Sequence, residues 1–218
     1  MGVALPERKR QPLLALLALI PLAACSPYAD AERDVAAGGR GLAKLNPSPQ
    51  QGYELVLTLK DAPGPFAVVE GVAQYDVGNH KDCGRVLRAT GTASRITSQE
   101  LVTLRKVGEN EYRGTFYLDR MQDQDYYDRG VCHWTLTGVG AMLRATTGEA
   151  DTRFLTFIDK ERMESDSPLT LYYPNLIYPR AATVANFGAS GEEDPSGYSE
   201  DLRNALFSTT TTVQKLVP

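Results

Sequence analysis

Hydrophobic and polar positions alternate over much of this chain from residue 52 onward. In "YELVLTLK", Tyr53, Leu55, Leu57 and Leu59 take turns with Glu54, Val56, Thr58 and Lys60. That period of two is the mark of a half-buried strand. Pro63-Gly64-Pro65 ends it with a turn, and "FAVVEGVAQYDV" (66–77) follows as a second strand, with Gly71 a candidate bulge. "GNHKDCG" reads as a loop and "RVLRATGTASRIT" (85–97) as a third strand. "LVTLRKV" and "EYRGTFYL" flank Gly108-Glu109-Asn110 and predict a hairpin.

"VCHWTLTGV", "TRFLTFID" and "LTLYYP" predict three further strands, while "AMLRA" fits a strand or a short helix equally. "SEDLRNALF" predicts the one helix, with Ser199 as N-cap and Glu200 and Asp201 in the first turn. The β-branched run "STTTTV" predicts a last strand. Short strands at even spacing with almost no helix indicate an all-β antiparallel sandwich, immunoglobulin-like or related, with one short C-terminal helix. Residues 52–218 suffice for a single core, so a single β-sandwich domain is expected there. Residues 25–51, broken by Gly and Pro, read as a flexible tether spanning about 28 Å root-mean-square.

The first 24 residues follow another pattern. Arg8, Lys9 and Arg10 precede the apolar run Leu13 to Ile20, and small residues follow. A basic region, a brief apolar region and small residues make a secretory signal peptide. The run is well short of the roughly 20 residues that a membrane helix needs. At its end, Leu22-Ala23-Ala24-Cys25 resembles the lipobox of bacterial lipoproteins. That resemblance implies cleavage after residue 24 and acylation of the Cys25 thiol. Ser26, in place of Asp, implies sorting to the outer membrane with the domain facing the periplasm. Acyl chains hold firmly, since each buried methylene contributes about 0.8 kcal/mol.

Charge narrows the choice of partner. The chain has 27 acidic and 23 basic residues; removing 1–24, with Arg8, Lys9, Arg10 and Glu7, leaves 26 against 20, a net −6. An acidic surface disfavours nucleic acid, whose phosphates need basic residues. It favours a basic protein partner through electrostatic steering. With Cys25 acylated, Cys83 and Cys132 remain, and export to an oxidising compartment predicts a disulfide between them.

Four groupings could carry chemistry or recognition. The disulfide would gather His80, Asp82 and His133, which suggests zinc. However, disulfide sulfurs cannot ligate as thiolates, and neighbours on a strand face opposite ways, so an ordinary staple is the reading preferred. "DRMQDQDYYDRG" carries Asp119, Asp123, Asp125 and Asp128, with Tyr126 and Tyr127 among them. Its spacing is not that of an EF-hand. Alternatives for this loop are a calcium-dependent binder or a paired-carboxylate hydrolase.

The reading chosen makes Asp123, Asp125, Tyr126, Tyr127 and Asp128 a partner-binding loop, since tyrosines are good interface anchors. "LYYPNLIYPR" adds Tyr173 as a further contact residue, on a strip held extended by Pro174 and Pro179. No G-x-S-x-G, H-E-x-x-H, P-loop or dinucleotide motif occurs, and there are two histidines. We therefore expect a non-enzymatic interaction protein without a cofactor or metal. An acidic, disulfide-stapled, lipid-anchored β domain is similar in type to periplasmic immunity lipoproteins and lysozyme inhibitors. That similarity implies occlusion of a basic active-site cleft in a toxin or hydrolase. The other class considered is a structural or assembly lipoprotein of the outer membrane.

Overall fold

The computed structural model describes residues 1–2, 41–87 and 90–216. The signal segment, Cys25 and the stretch through residue 40 lie outside the described residues. Ten strands, in chain order, are β1 (Gly52–Lys60), β2 (Val68–Val77), β3 (Thr97–Val102), β4 (Arg105–Lys106), β5 (Glu111–Tyr117), β6 (Trp134–Arg144), β7 (Arg153–Asp159), β8 (Leu169–Pro174), β9 (Gly188–Ala189) and β10 (Leu206–Lys215). Among the described residues three short α-helices interrupt them: α1 (His80–Cys83), α2 (Lys160–Glu164) and α3 (Glu200–Arg203). Two five-stranded sheets result, ordered β4-β5-β1-β10-β8 and β3-β2-β6-β7-β9. Every pairing is antiparallel except β7 with β9. The protein is an all-β sandwich.

Alternation builds the core. Leu55, Leu57 and Leu59 of β1 point inward beside Phe207, Thr209, Thr211 and Val213 of β10. Opposite them lie Ala73 and Tyr75 of β2, Val139, Ala141 and Leu143 of β6, and Phe154 and Ile158 of β7. Three polar ties cross between the sheets. The Tyr75 hydroxyl donates to the Tyr117 carbonyl at 2.5 Å, the Tyr173 hydroxyl to the Leu155 carbonyl at 2.8 Å, and the Thr156 and Thr211 hydroxyls meet at 2.7 Å. Buried polar groups need such partners. At one end of the sandwich Phe66, Phe154, Tyr173, Tyr178 and Phe207 pack edge-on and stacked.

Several sequence expectations change. The third strand is not 85–97 but Thr97–Val102; the earlier stretch has an isolated Val86–Ala93 bridge. Gly71 is not the bulge. The register slips between Gln74 and Tyr75, where β6 carries the extra Thr137. That slip re-phases β6, so Leu136 points inward before it and Val139, Ala141 and Leu143 after it. "AMLRA" is therefore the far half of β6, and its broken alternation is the reason its period was ambiguous. Gly71 has a different use. A Cβ there would lie 2.6 Å from the Val102 carbonyl oxygen, and one on Gly114 2.7 Å from that of Thr103. These two glycines let the chain cross from β3 in one sheet to β4 in the other.

The opposite margin is bridged too. After β9 pairs with Arg153 and Phe154, Glu192 exchanges two main-chain bonds with Tyr172 of β8, at 2.8 and 3.1 Å. The tether is also shorter than expected. Ala43 is buried, Leu45 bridges to Met121, and the Asp119 carboxylate accepts the N–H groups of Gln50 and Gln51. Residues 43–51 thus belong to the folded part, because Ala43 and Leu45 cover core that β5 leaves open. Finally, "SEDLRNALF" is helical only through Arg203, since Leu206 and Phe207 already pair with β8.

Candidate functional site

The candidate loop runs from Asp119 at the end of β5 to Trp134 at the start of β6. Cys83 and Cys132 are joined, with their Cα atoms 5.3 Å apart. The bond does not link the two sheets. It ties α1, just beyond β2, to Cys132, two residues before β6, at one end of a single sheet. Around it Val77, Ile96, Trp134, Tyr126 and Tyr127 form a small second core. Gly84 is required here: a Cβ would meet the His80 carbonyl oxygen at 2.4 Å.

Each expected contact residue has a definite place. The Asp125 carboxylate turns into its own loop and accepts the N–H groups of Arg129 (3.0 Å), Gly130 (3.0 Å) and Tyr127 (3.2 Å). Those donors, Arg129 first, hold its pKa below the ordinary carboxylate value. Asp123 accepts His133 Nδ1 on one oxygen at 2.7 Å and the Trp134 N–H on the other at 2.8 Å. Asp128 is exposed and adopts a left-handed φ of 55°, the tight turn of the loop. Tyr126 and Tyr127 are half-buried and serve the two cores; the Tyr126 hydroxyl donates to the Gln122 carbonyl.

Tyr173 is a correction. It is 0 % exposed, so it is not a surface contact residue. Its inward phase on β8 places its ring against Phe154 and Phe207, and Tyr172 takes the outer face. Burial raises its pKa well above that of an ordinary tyrosine.

Arg129 and Asn79, which sequence reasoning did not single out, complete the loop together with His133, which it had weighed only for zinc. Arg129 donates to the carbonyls of Gly84 (2.7 Å) and Lys81 (3.3 Å). The Asn79 side chain donates to the Val131 carbonyl and accepts the His133 N–H, both at 2.8 Å. His133 is 64 % exposed at the side chain and stands with Asp123 on the surface. The proximity of His133 to Cys132 was the available signal, but its partner Asp123 is ten residues away and meets it only through the fold.

His80, Asp82 and His133 do not form a zinc set. The His80 ring faces the Val77 carbonyl at 3.4 Å. Among the described residues no group of three or more His, Cys, Asp or Glu is placed to hold a metal ion. The loop's exposed face comprises Asp123, Gln124, Asp128, Val131 and His133, on a frame fixed by the disulfide, Asp125, Asn79 and Arg129. Among the described residues no helix is long and apolar enough to cross a membrane. The chain matches no protein-family model, no curated protein and no solved structure.

Proposed function

We propose that this protein is a lipid-anchored, periplasmic interaction module that presents the Gln122–His133 loop to a basic protein partner and occludes a cleft of that partner. What carries the reading is the state of the loop before any partner arrives. Its frame is held by one disulfide, by N–H groups that donate to Asp125 and Asp123, and by hydrogen bonds donated by Asn79 and Arg129, while Asp128, Gln124 and His133 remain at the surface. A loop already ordered loses little conformational entropy on binding. The mature net charge of −6 supports a basic partner.

The experiment is capture from envelope extract on the immobilised full chain, followed by binding kinetics on the protein retained. Asp123→Asn combined with Asp128→Asn is expected to slow association and to flatten its salt dependence. Val131→Asp, which leaves the frame alone, is expected to speed dissociation. A captured partner whose kinetics ignore all three changes overturns the reading.

A further inference from the structure

A second surface lies away from that loop, where the two sheets meet at β7 and β8. The chain segment that bridges this margin fills only part of it. β9 pairs with Arg153 and Phe154 of β7, then steps over to Tyr172 of β8. Leu155 is engaged as well, since its carbonyl accepts the Tyr173 hydroxyl at 2.8 Å. Among the described residues no strand pairs with the β7 edge at Phe157 to Asp159.

Hydrogen-bonding directions alternate along a strand. Arg153 donates its N–H outward to the Phe187 carbonyl, so by alternation Phe157 presents its main-chain groups on the same side. Tyr172 likewise bonds outward to Glu192, so Thr170 faces the gap from β8. Between them is an open groove of about 370 Å³. Leu155, Phe157, Leu169 and Leu171 give it an apolar part, and Asp159, Arg162, Ser190 and Glu193 a polar one. Phe157 is 42 % exposed although it is a large aromatic residue in mid-strand.

Bare main chain beside apolar walls selects an extended backbone with alternate apolar side chains. Charge selects further. Arg162 and Glu193 neutralise each other in a two-pronged pair at 3.0 Å, which leaves Asp159 as the unbalanced charge of the groove. Glu192 and Asp194, both exposed, flank Glu193 on the rim.

A second copy of this chain fits poorly. The antiparallel register that sets Arg153 against Asp159 would drive one copy's β9 into the other's β7. The register that avoids β9 sets Asp159 against Leu155. We propose that the groove between β7 and β8 is a strand-acceptor site for an extended, basic segment of a partner protein, which pairs with the Phe157–Asp159 edge. The site is separate from the Asp123–His133 surface and does not rest on it.

The test uses the purified full chain and a fluorescent seven-residue peptide that alternates valine and lysine. Saturable binding is expected, weakened roughly fivefold by N-methylating alternate amides of the peptide, which removes the donor to the Phe157 carbonyl. Replacing its lysines by glutamates should abolish binding. Phe157→Arg should weaken it at least about fivefold, as loss of an interface anchor does. Asp159→Asn keeps the helix cap, since Asn caps as well as Asp, and should weaken binding roughly threefold with a flatter salt dependence. Asp123→Asn with Asp128→Asn should leave this binding unchanged, which separates the groove from the loop. Amide shifts on titration should centre on Leu155, Phe157, Asp159 and Thr170. Equal binding of the N-methylated or glutamate peptide overturns the proposal. So does binding that ignores Phe157→Arg, or a concentration-dependent dimer that Phe157→Arg abolishes, which would assign the groove to a second copy.

Discussion

Asp151 shows how one residue serves the fold. Its side chain is only 4 % exposed, yet it carries a charge. The Thr146 hydroxyl donates to it at 2.5 Å and the Thr146 N–H at 3.1 Å, while Arg180 reaches it at 3.2 Å. These partners, the Thr146 hydroxyl foremost, hold its pKa below the ordinary value. A carboxylate lowered on folding adds stability that is present above its unfolded pKa, about 4, and lost as pH falls through the folded value. Asp151→Asn is therefore expected to lower Tm at pH 7, with a gap that narrows below about pH 4. Thermal melts at pH 7, 4 and 3 check this; a gap of constant size would mean that the charge contributes nothing. Of the acids in the candidate loop, Asp125 is likewise bound into its own turn, whereas Asp123, which also accepts from His133 and Trp134, and Asp128 stand exposed at the surface. Sequence reading could not make that division, because the donors to Asp125 are main-chain N–H groups whose direction only the loop conformation sets.

The element that most depends on a covalent link is the α1 to β6 end. Cys83 and Cys132 are 49 residues apart in sequence, and both are fully buried in the second core. Closing a loop of that length contributes about 4 kcal/mol in the chain-entropy model. Replacing both cysteines by Ser is expected to cost about that much in denaturant unfolding. Trp134, the lone tryptophan, packs in the same cluster and reports the change by fluorescence. A variant as stable as the parent would mean that Asn79 and Arg129 hold the loop without the staple. Strand pairing at this level was largely readable. β1, β2, β5, β7 and β8 lie where alternation puts them, because each has one face in the core and one in solvent. α2 was missed, although Asp159 caps it by accepting the Arg162 N–H at 2.8 Å. Its five residues follow a strand directly, and so short a helix has too little periodicity to detect.

At the scale of the molecule, both ends of the described domain come to the same place. β1 begins beside the end of β5, β10 ends beside the start of β1, and residues 43–46 run along the root of the candidate loop. Seventeen residues, 26–42, separate Cys25 from Ala43. Cys25→Ser is expected to abolish acylation and leave the uncleaved precursor. Fractionation with metabolic fatty-acid labelling checks it, and a Cys25→Ser chain that matures normally and stays in the membrane fraction would exclude the lipobox reading.

What the sequence determined by itself was whatever depends on local pattern. Period-two alternation specifies strands with one buried face, and the absence of long helical periods specifies an all-β domain. Two cysteines beyond Cys25, read with the expectation of export, predict the staple that joins Cys83 to Cys132. Tertiary structure decided whatever depends on neighbours distant in sequence. Two glycines, Gly71 and Gly114, allow the chain to change sheets at Thr103 only because Val102 and Thr103 press on them from another strand. Thr137 slips β6 by one residue, and that slip alone decides which of its side chains are core. Tyr172 and Tyr173 are indistinguishable in sequence; the phase of β8 against β10 buries one and leaves the other on the outer face. Alternation tells that two faces exist, but only packing of one sheet on the other selects which of them is the inside.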